Sequence, residues 1–325
     1  MASPSASLSS LRPDLGSLYE FDTEVNKLGL IGYRVLPIME VAKQSGTFGR
    51  IPSEQLAKLD TVTRTSSAGY NRTDFTFTQD TFATLEYGLE VPVDRRNANI
   101  YRDYFDAESV ATQLALHKVL MAAEVRVANA VFNTSTFTGS ALTTAISTEW
   151  STVAYSTPIT DVFASSQKVR DNCGQYANTL VCSRKVFRNL QRNASIIDRI
   201  QSYGAGAPTK AADITADLVA RCLDLEQVLV ADTSYDNAKE GQSTTFTDIW
   251  DDEYAMVCRI ARTNSINEVA MGRTFHWSED GSMPGGTIET YYSEEVRGDI
   301  VRVRHEVMEK IIYAECGHLL SNITA

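Results

Sequence analysis

Three groups of residues in this chain of 325 residues carry side chains that could perform catalysis or bind a metal. His117 lies on the apolar stripe of a predicted helix, but no second histidine or cysteine follows at a spacing of three or four, so packing is favoured. Cys316 and His318 share one face of a predicted strand, without a third group to orient them. Asp251-Asp252-Glu253 lacks the alternating oxygen ligands and central glycine of a calcium loop. We therefore expect no catalytic, cofactor-binding or metal-binding residues.

The remaining short motifs also have simpler structural explanations. Gly204 and Gly206, like Gly285-Gly286, fall short of a phosphate-binding loop and are typical of ordinary loops. Arg297-Gly298-Asp299 is what a turn between two strands requires. No nucleophile elbow, zinc-protease motif or kinase signature is present, and we expect that the chain is not an enzyme.

Composition narrows the class of protein further. Hydrophobic residues make up 43% and charged residues 22%, which is ordinary for a globular chain, and no apolar run is long enough to span a bilayer. The net charge of -11 argues against a protein dedicated to binding nucleic acid. The widely spaced cysteines predict free, buried thiols in a reducing compartment; they are Cys173, Cys182, Cys222, Cys258 and Cys316.

The stretch from Phe82 to Asn133 predicts a strand that enters a long helix through a charged bend at Asp94-Arg95-Arg96. Period-2 alternation defines the strand; its apolar positions are Leu85, Tyr87, Leu89, Val91 and Val93. Steps of three or four define the helix, which Asp106 is placed to cap; its predicted buried stripe is Val110, Leu114, His117, Met121, Val125, Ala128 and Phe132. At roughly 40 Å, this helix would cross a whole domain.

Before that strand, a Thr-rich segment from residue 51 predicts a long hairpin with its turn at residues 66–69. Its returning arm would reach roughly 65 Å, whereas the rest of the chain would be only about 45 Å across. Because an isolated ribbon is marginal in water, we expect its apolar face to rest on a neighbouring subunit. The predicted assembly-interface residues are Tyr70, Arg72, Phe75, Phe77, Arg95 and Arg96.

The second half of the chain predicts a compact α/β region followed by a terminal ribbon. Helices are expected over 161–172, 183–193 and 214–222. Strands are expected over 179–182, 227–231 and 254–260, with an exposed polar loop over 232–248. The terminal ribbon, 287–292 with 300–313, alternates apolar and charged residues and could lie against the long helix.

This order of elements resembles that of the major capsid proteins of tailed bacteriophages with the Hong Kong 97-type fold. The sequence segments that carry the resemblance are EYGLEVPVDRRNANIY, AESVATQLALHKVLMAAEVRVANAVFN and NTLVCSRKVFRNLQRNASIIDRI. The resemblance implies an α+β fold with an N-terminal arm (1–45), an extended β-hairpin loop (46–94), a peripheral domain containing the spine helix (95–157 and 284–325, the latter with its β-ribbon and the C-terminus) and an α/β axial domain (158–283).

The same resemblance implies a structural protein that self-assembles into the pentamers and hexamers of an icosahedral shell around double-stranded DNA. Its expected partners are neighbouring capsid subunits, with possible scaffold, portal and decoration proteins and non-specific contact with packaged DNA, but no membrane. The expected location is the virion capsid, after assembly in the host cytoplasm.

Two alternatives stay open at this point. An encapsulin, a nanocompartment shell that encloses a cargo enzyme, is built on the same fold. More distantly, the α/β region could belong to an oligomeric enzyme whose catalytic residues converge only in space.

Overall fold

The computed structural model describes residues 10–11, 29–50, 52, 58–74, 76, 78–101, 106–202 and 214–324. Two mixed β-sheets, one long helix and a set of shorter helices make up this part of the chain. The helices are α1 (Gly32–Val35), α2 (Arg95–Tyr101), α3 (Ala107–Val131), α4 (Pro158–Cys173), α5 (Arg184–Arg192), α6 (Ala194–Ser202) and α7 (Ala216–Cys222), with a 3-10 turn at Ala314–Cys316.

The first sheet is organised around the strand β14 (Gly298–Ile311), the longest in the described residues. Along one edge β14 pairs antiparallel with β13 and then β12, and along the other edge with β5. β2 extends the sheet by parallel pairing with β12, and β1 pairs with β13. These strands are β1 (Ser10–Leu11), β2 (Ile38–Val41), β5 (Leu85–Asp94), β12 (Gly272–Trp277) and β13 (Thr287–Ser293).

The second sheet carries the α/β region, in the order β6-β15-β11-β7-β8. Its strands are β6 (Thr143–Ala145), β7 (Thr179–Ser183), β8 (Gln227–Ala231), β11 (Ala255–Cys258) and β15 (Gly317–Ser321). Two separate ribbons complete the fold: β3 (Ser45–Arg50) with β4 (Thr78–Ala83), and β9 (Ser234–Asp236) with β10 (Phe246–Asp248).

Local signals placed most elements correctly. The Asp106 carboxylate accepts a hydrogen bond from the Glu108 amide at 3.3 Å and caps α3, which at 25 residues is about 37 Å long. The Ser183 hydroxyl caps α5 by accepting from the Val186 amide at 3.4 Å. The predicted strands at 179–182 and 227–231 are confirmed. The turn predicted at 297–299 lies earlier, over 294–297, because Gly298 and Asp299 already pair in β14. The five cysteines are all free and buried, also as expected.

The buried face of α3 differs from most of the predicted stripe, of which only Ala128 is fully buried. Val110 and Leu114 are 47% and 43% exposed, whereas the face that packs on β5, β13 and β14 is rich in alanine. The small side chains in this face let the helix axis approach the sheet closely. The residues of α3 in this contact are Ala111, Ala115, Leu116 and Val119.

The strand before the helix also lies elsewhere than expected. β5 pairs with β14 over its whole length, and Leu89, Val91 and Val93 pack beneath α3 within the same subunit. The expectation that this apolar face rests on a neighbouring subunit is therefore wrong for residues 85–94.

Two further strand pairings join segments that lie far apart in the chain. β15 (Gly317–Ser321) pairs with β11 in the second sheet and does not continue the terminal ribbon. β12 (Gly272–Trp277), inside the expected axial segment, pairs with β14 in the first sheet. Both pairings join residues far apart in sequence, and local sequence patterns do not predict such pairings. The division into peripheral and axial domains itself stays a prediction.

We predict that Leu116→Ala lowers the free energy of unfolding by about 2–4 kcal/mol, because Leu116 is only 2% exposed among Val301, Val303 and the α3 alanines. Urea denaturation followed by circular dichroism measures this. Leu114→Ala, two positions earlier on the same helix, is the matched control and should cost less than about 1 kcal/mol. Equal losses in the two variants would contradict the assigned face.

Candidate assembly interface

The hairpin is anchored at its base by aromatic packing. β3 and β4 pair from Ser45 opposite Ala83 to Arg50 opposite Thr78. Phe48 of β3 and Phe82 of β4 both contact Phe275 of the first sheet, with ring centroids 5.7 and 5.0 Å apart. The base of the hairpin is thereby a rigid extension of its own subunit.

Polar contacts fix the direction in which the hairpin leaves the sheet. Thr84, buried between β4 and β5, donates from its amide to the Gln44 carbonyl at 2.9 Å, and its hydroxyl lies 3.0 Å from Glu306 Oε1. Lys310 pairs with Asp80, and although burial alone would raise the pKa of Asp80, this hydrogen bond brings it below the ordinary value. Arg50 pairs with Glu315 at 3.0 Å.

Beyond this base, the segment 58–74 is exposed and contains no strand, yet it is locally organised. A turn at Ser66-Ser67 is closed by the Ala68 amide donating to the Thr65 carbonyl at 3.1 Å, which confirms the predicted turn. Arg64 donates to the Ala68 carbonyl at 2.7 Å and stacks 4.7 Å from the Tyr70 ring. We call residues 58–74 the tip segment.

The tip segment holds large apolar side chains in solvent. Leu59 is 96% exposed, Val62 90% and Tyr70 76%. Arg72 is also exposed. Apolar groups held in this way on an anchored base have the properties of a protein-binding surface.

The predicted interface residues fall into two separate places. Tyr70 and Arg72 lie in the tip segment, and Phe75 and Phe77 lie outside the described residues. Arg95 and Arg96 begin α2, at the far end of β5, so about 30 Å of strand separates them from the hairpin base.

Arg95 is exposed, and its guanidinium stacks 4.8 Å from the ring of Tyr292, which is itself half exposed. The interface role of all six residues stays a prediction.

Exposed apolar side chains also occur on the two helices that follow β5. Ile100 of α2 is 57% exposed, and Val110 and Leu114 of α3 are exposed as well. The sequence contained the signal for those of α3, because α3 is apolar on more than one side and only one side can face the sheet.

A buried carboxylate joins three parts of the subunit. Glu124 of α3 accepts hydrogen bonds from the Ile31 amide at 3.0 Å, the Gly32 amide at 2.8 Å and the Trp250 indole N–H at 2.6 Å. Burial raises the pKa of Glu124, and the three donors oppose that rise. A Cβ at Gly32 would lie 2.6 Å from a carboxylate oxygen of Glu124, so a side chain there would displace the carboxylate from its donors.

A neutral histidine lies beneath the junction of α3 with the sheet. His305 is fully buried, and its Nδ1 lies 3.2 Å from the Pro284 carbonyl, so Nδ1 carries the proton and Nε2 accepts from Arg126 at 3.3 Å. Burial lowers the pKa of His305 to about 4. Arg126 also pairs with Glu309 and stacks 3.7 Å from the Tyr87 ring.

Within the described residues, no cluster of three or more His, Cys, Asp or Glu side chains could hold a metal ion. His318 contacts Thr144, with Nε2 and Oγ1 3.2 Å apart, and Cys316 contacts the Cys173 thiol. In neither pair do the described residues place a nucleophile beside a base that a third group orients, as a nucleophilic site requires. Over the same residues, no helix is both long and apolar enough to cross a bilayer.

Comparison with known proteins identifies the relatives. No family model matches the chain. The major capsid protein of Burkholderia phage BcepMu is 24% identical over 299 residues, which cover 90% of this chain and 91% of that protein. The major capsid protein of Pseudomonas phage JBD67 is 24% identical over 302 residues, covering 91% and 92%. The chain is a relative of tailed-phage major capsid proteins.

The solved structures agree on the fold. A phage-related protein from Bordetella bronchiseptica RB50 superposes with a TM-score of 0.72 at 19% identity, covering 96% of this chain and 97% of that one. The capsid protein of cyanophage P-SCSP1u gives 0.56 at 9% identity, covering 88% and 86%. The chain thus has the Hong Kong 97-type capsid fold, an α+β architecture, as the sequence resemblance implied.

We predict that Glu124→Ala destabilises the protein by about 3 kcal/mol or more, because it leaves three buried donors without an acceptor. Thermal unfolding measures the loss, and hydrogen exchange at the Ile31 and Gly32 amides should accelerate. Gln113→Ala, an exposed change on the same helix, is the control. Unchanged exchange at both amides in Glu124→Ala would show that this carboxylate does not hold residues 29–36.

Acidification from about pH 6.5 towards pH 4 should destabilise the protein through two buried histidines. Burial lowers the pKa of both His305 and His318 to about 4, so the unfolded chain binds protons more readily. Their contribution to the free energy of unfolding is fully present above about pH 6.5. It is lost as the pH falls towards 4, and the loss is about 3 kcal/mol for each histidine.

Urea titrations between pH 7 and 4 measure this decline, and His305→Gln should make it shallower. A variant curve parallel to the wild-type curve would contradict the assignment to His305.

Proposed function

We propose that the chain is the major capsid protein of a tailed phage, which forms the pentamers and hexamers of an icosahedral shell around double-stranded DNA. The observation that carries this proposal is the tip segment, whose apolar side chains lie in solvent beyond a base fixed to its own subunit. The relationship to phage major capsid proteins over nine-tenths of the chain supports it. The role is structural, with no catalytic step and no cofactor.

The proposed mechanism depends on a rigid body with adaptable extensions. Heterologous contacts close into rings when the rotation between neighbours is fixed, and two ring sizes require small differences in that rotation. Sheet, α3 and hairpin base form one packed unit. The tip segment and the ribbon of β9 and β10 project from it and are the parts that we expect to differ between pentamers and hexamers.

Charge is compatible with a DNA container. A wall of net charge -11 repels phosphate and permits only local, non-specific contact during filling. The proposed location is the virion capsid, after assembly in the host cytoplasm. Scaffold, portal and decoration proteins are the further partners expected of such a shell.

An encapsulin-like compartment is the second candidate, because a virus-like particle from Pyrococcus furiosus has a similar chain fold, with a TM-score of 0.52 at 11% identity. The sequence relationship favours the phage capsid. Electron microscopy of particles made in cells, with extraction of their contents, separates a DNA-filled shell from one that holds a protein.

Deleting residues 66–73 should abolish or strongly reduce shell formation while the subunit stays folded, because the deletion removes the turn and Tyr70 but none of the hairpin base. Negative-stain imaging and size-exclusion chromatography measure assembly, and circular dichroism measures folding. The substitution Thr63→Ala in the same segment is the control and should leave assembly intact. Normal shells from the deletion variant would refute the role of the tip segment.

A further inference from the structure

An unusual helix in the second half of the chain carries only positive charge. α5 (Arg184–Arg192) contains four cationic residues and no carboxylate, in a chain of net charge -11. Arg184, Arg188 and Arg192 follow one another at i, i+4 and are all exposed, so they form a stripe about 12 Å long. We call these three arginines the basic stripe.

The basic stripe does not stabilise its own helix. Positive charge in the first turn opposes the helix dipole, and like charges at i, i+4 repel. Lys185 is paired with Asp252, but no carboxylate of the described residues forms an ion pair with the three stripe arginines. The helix is held instead by its cap and by the buried Val186, Phe187 and Leu190. The stripe is therefore available to an anionic partner.

The same chain presents an acidic surface with complementary features. The ribbon of β9 and β10 with its flanks, residues 232–248, contains four exposed carboxylates and one lysine. We call it the acidic ribbon; its carboxylates are those of Asp232, Asp236, Glu240 and Asp248. Asp236 closes it by accepting from the Ala238 and Thr245 amides, both at 2.9 Å. Phe246 adds an apolar group that is 75% exposed.

From this complementarity we propose that the acidic ribbon of one subunit docks on the basic stripe of the next. The inference rests on the proposed function, because it requires copies of the chain to meet in rings. A second copy is the proposed occupant because it carries the complementary acidic ribbon, with the exposed Phe246 beside its carboxylates. Two different patches on one chain also give the head-to-tail contact that closes rings.

Charge reversal tests this contact. Arg188→Glu with Arg192→Glu, or Glu240→Lys with Asp248→Lys, should each slow assembly of the purified chain roughly tenfold at low salt, measured by light scattering and negative stain. Combining all four changes should restore the rate to within about threefold of wild type. Matching circular dichroism and melting temperatures would show that every variant folds, as expected for exposed positions.

Lys239→Glu separates a specific contact from general repulsion. It makes the chain more negative, as the arginine reversals do, but it strengthens the acidic ribbon and should speed assembly. Slower assembly of Lys239→Glu would overturn the proposal. It would also be overturned if the variant with all four charge reversals did not recover its assembly rate.

The alternative that the basic stripe binds nucleic acid is tested by measuring binding of a 20-base-pair duplex by fluorescence anisotropy. If Arg188→Glu with Arg192→Glu abolishes duplex binding but assembles at the wild-type rate, the stripe binds nucleic acid and subunit docking is wrong. If the wild-type chain forms neither rings nor shells, it is the proposed function that fails.

Discussion

The structure depends on β14 being paired along both of its edges. Over residues 298–304 it lies between β5 and β13, and further along it pairs with β12. Val301, Val303, His305 and Val307 are all buried on one of its faces, where α3 packs. On the other face Arg302 and Arg304 pair with Glu90, Glu289 and Asp280. Because β5, α3 and the hairpin base all contact β14, this strand positions all three relative to one another.

The alanine-rich face of α3 explains how one helix can serve both folding and assembly. Ala111 and Ala115 allow close approach to the sheet, and Leu116 and Val119 fill the space beside them. Val110 and Leu114 are left at the surface. A prediction that assigns the largest side chains to the core chooses the wrong face of such a helix. The periodicity that revealed the helix could not decide which apolar side faces the sheet.

What could be predicted from the sequence was local. The caps at Asp106 and Ser183 and the alternation in β14 depend on residues within a few positions of each other, and they were assigned correctly. β12 was missed because Arg273 and His276 interrupt its apolar character. Both are buried, and Arg273 donates to the carbonyls of Thr263 and Ser265 at 2.8 and 2.6 Å. Those partners belong to a loop, so no periodic pattern reveals them. The pairing of β15 with β11 spans about sixty residues and is equally absent from local patterns.

The two proposed contacts differ in physical character, and the difference suits an assembly that must form accurately. The tip segment offers apolar area, which gives affinity without direction. The basic stripe and acidic ribbon offer charge, which contributes little affinity at a solvated surface but steers encounter and disfavours wrong orientations. In a closed ring each contact recurs once for every subunit, so individually weak ion pairs act together while each remains reversible. Reversibility lets a misplaced subunit leave before the shell closes, which one strong contact would prevent.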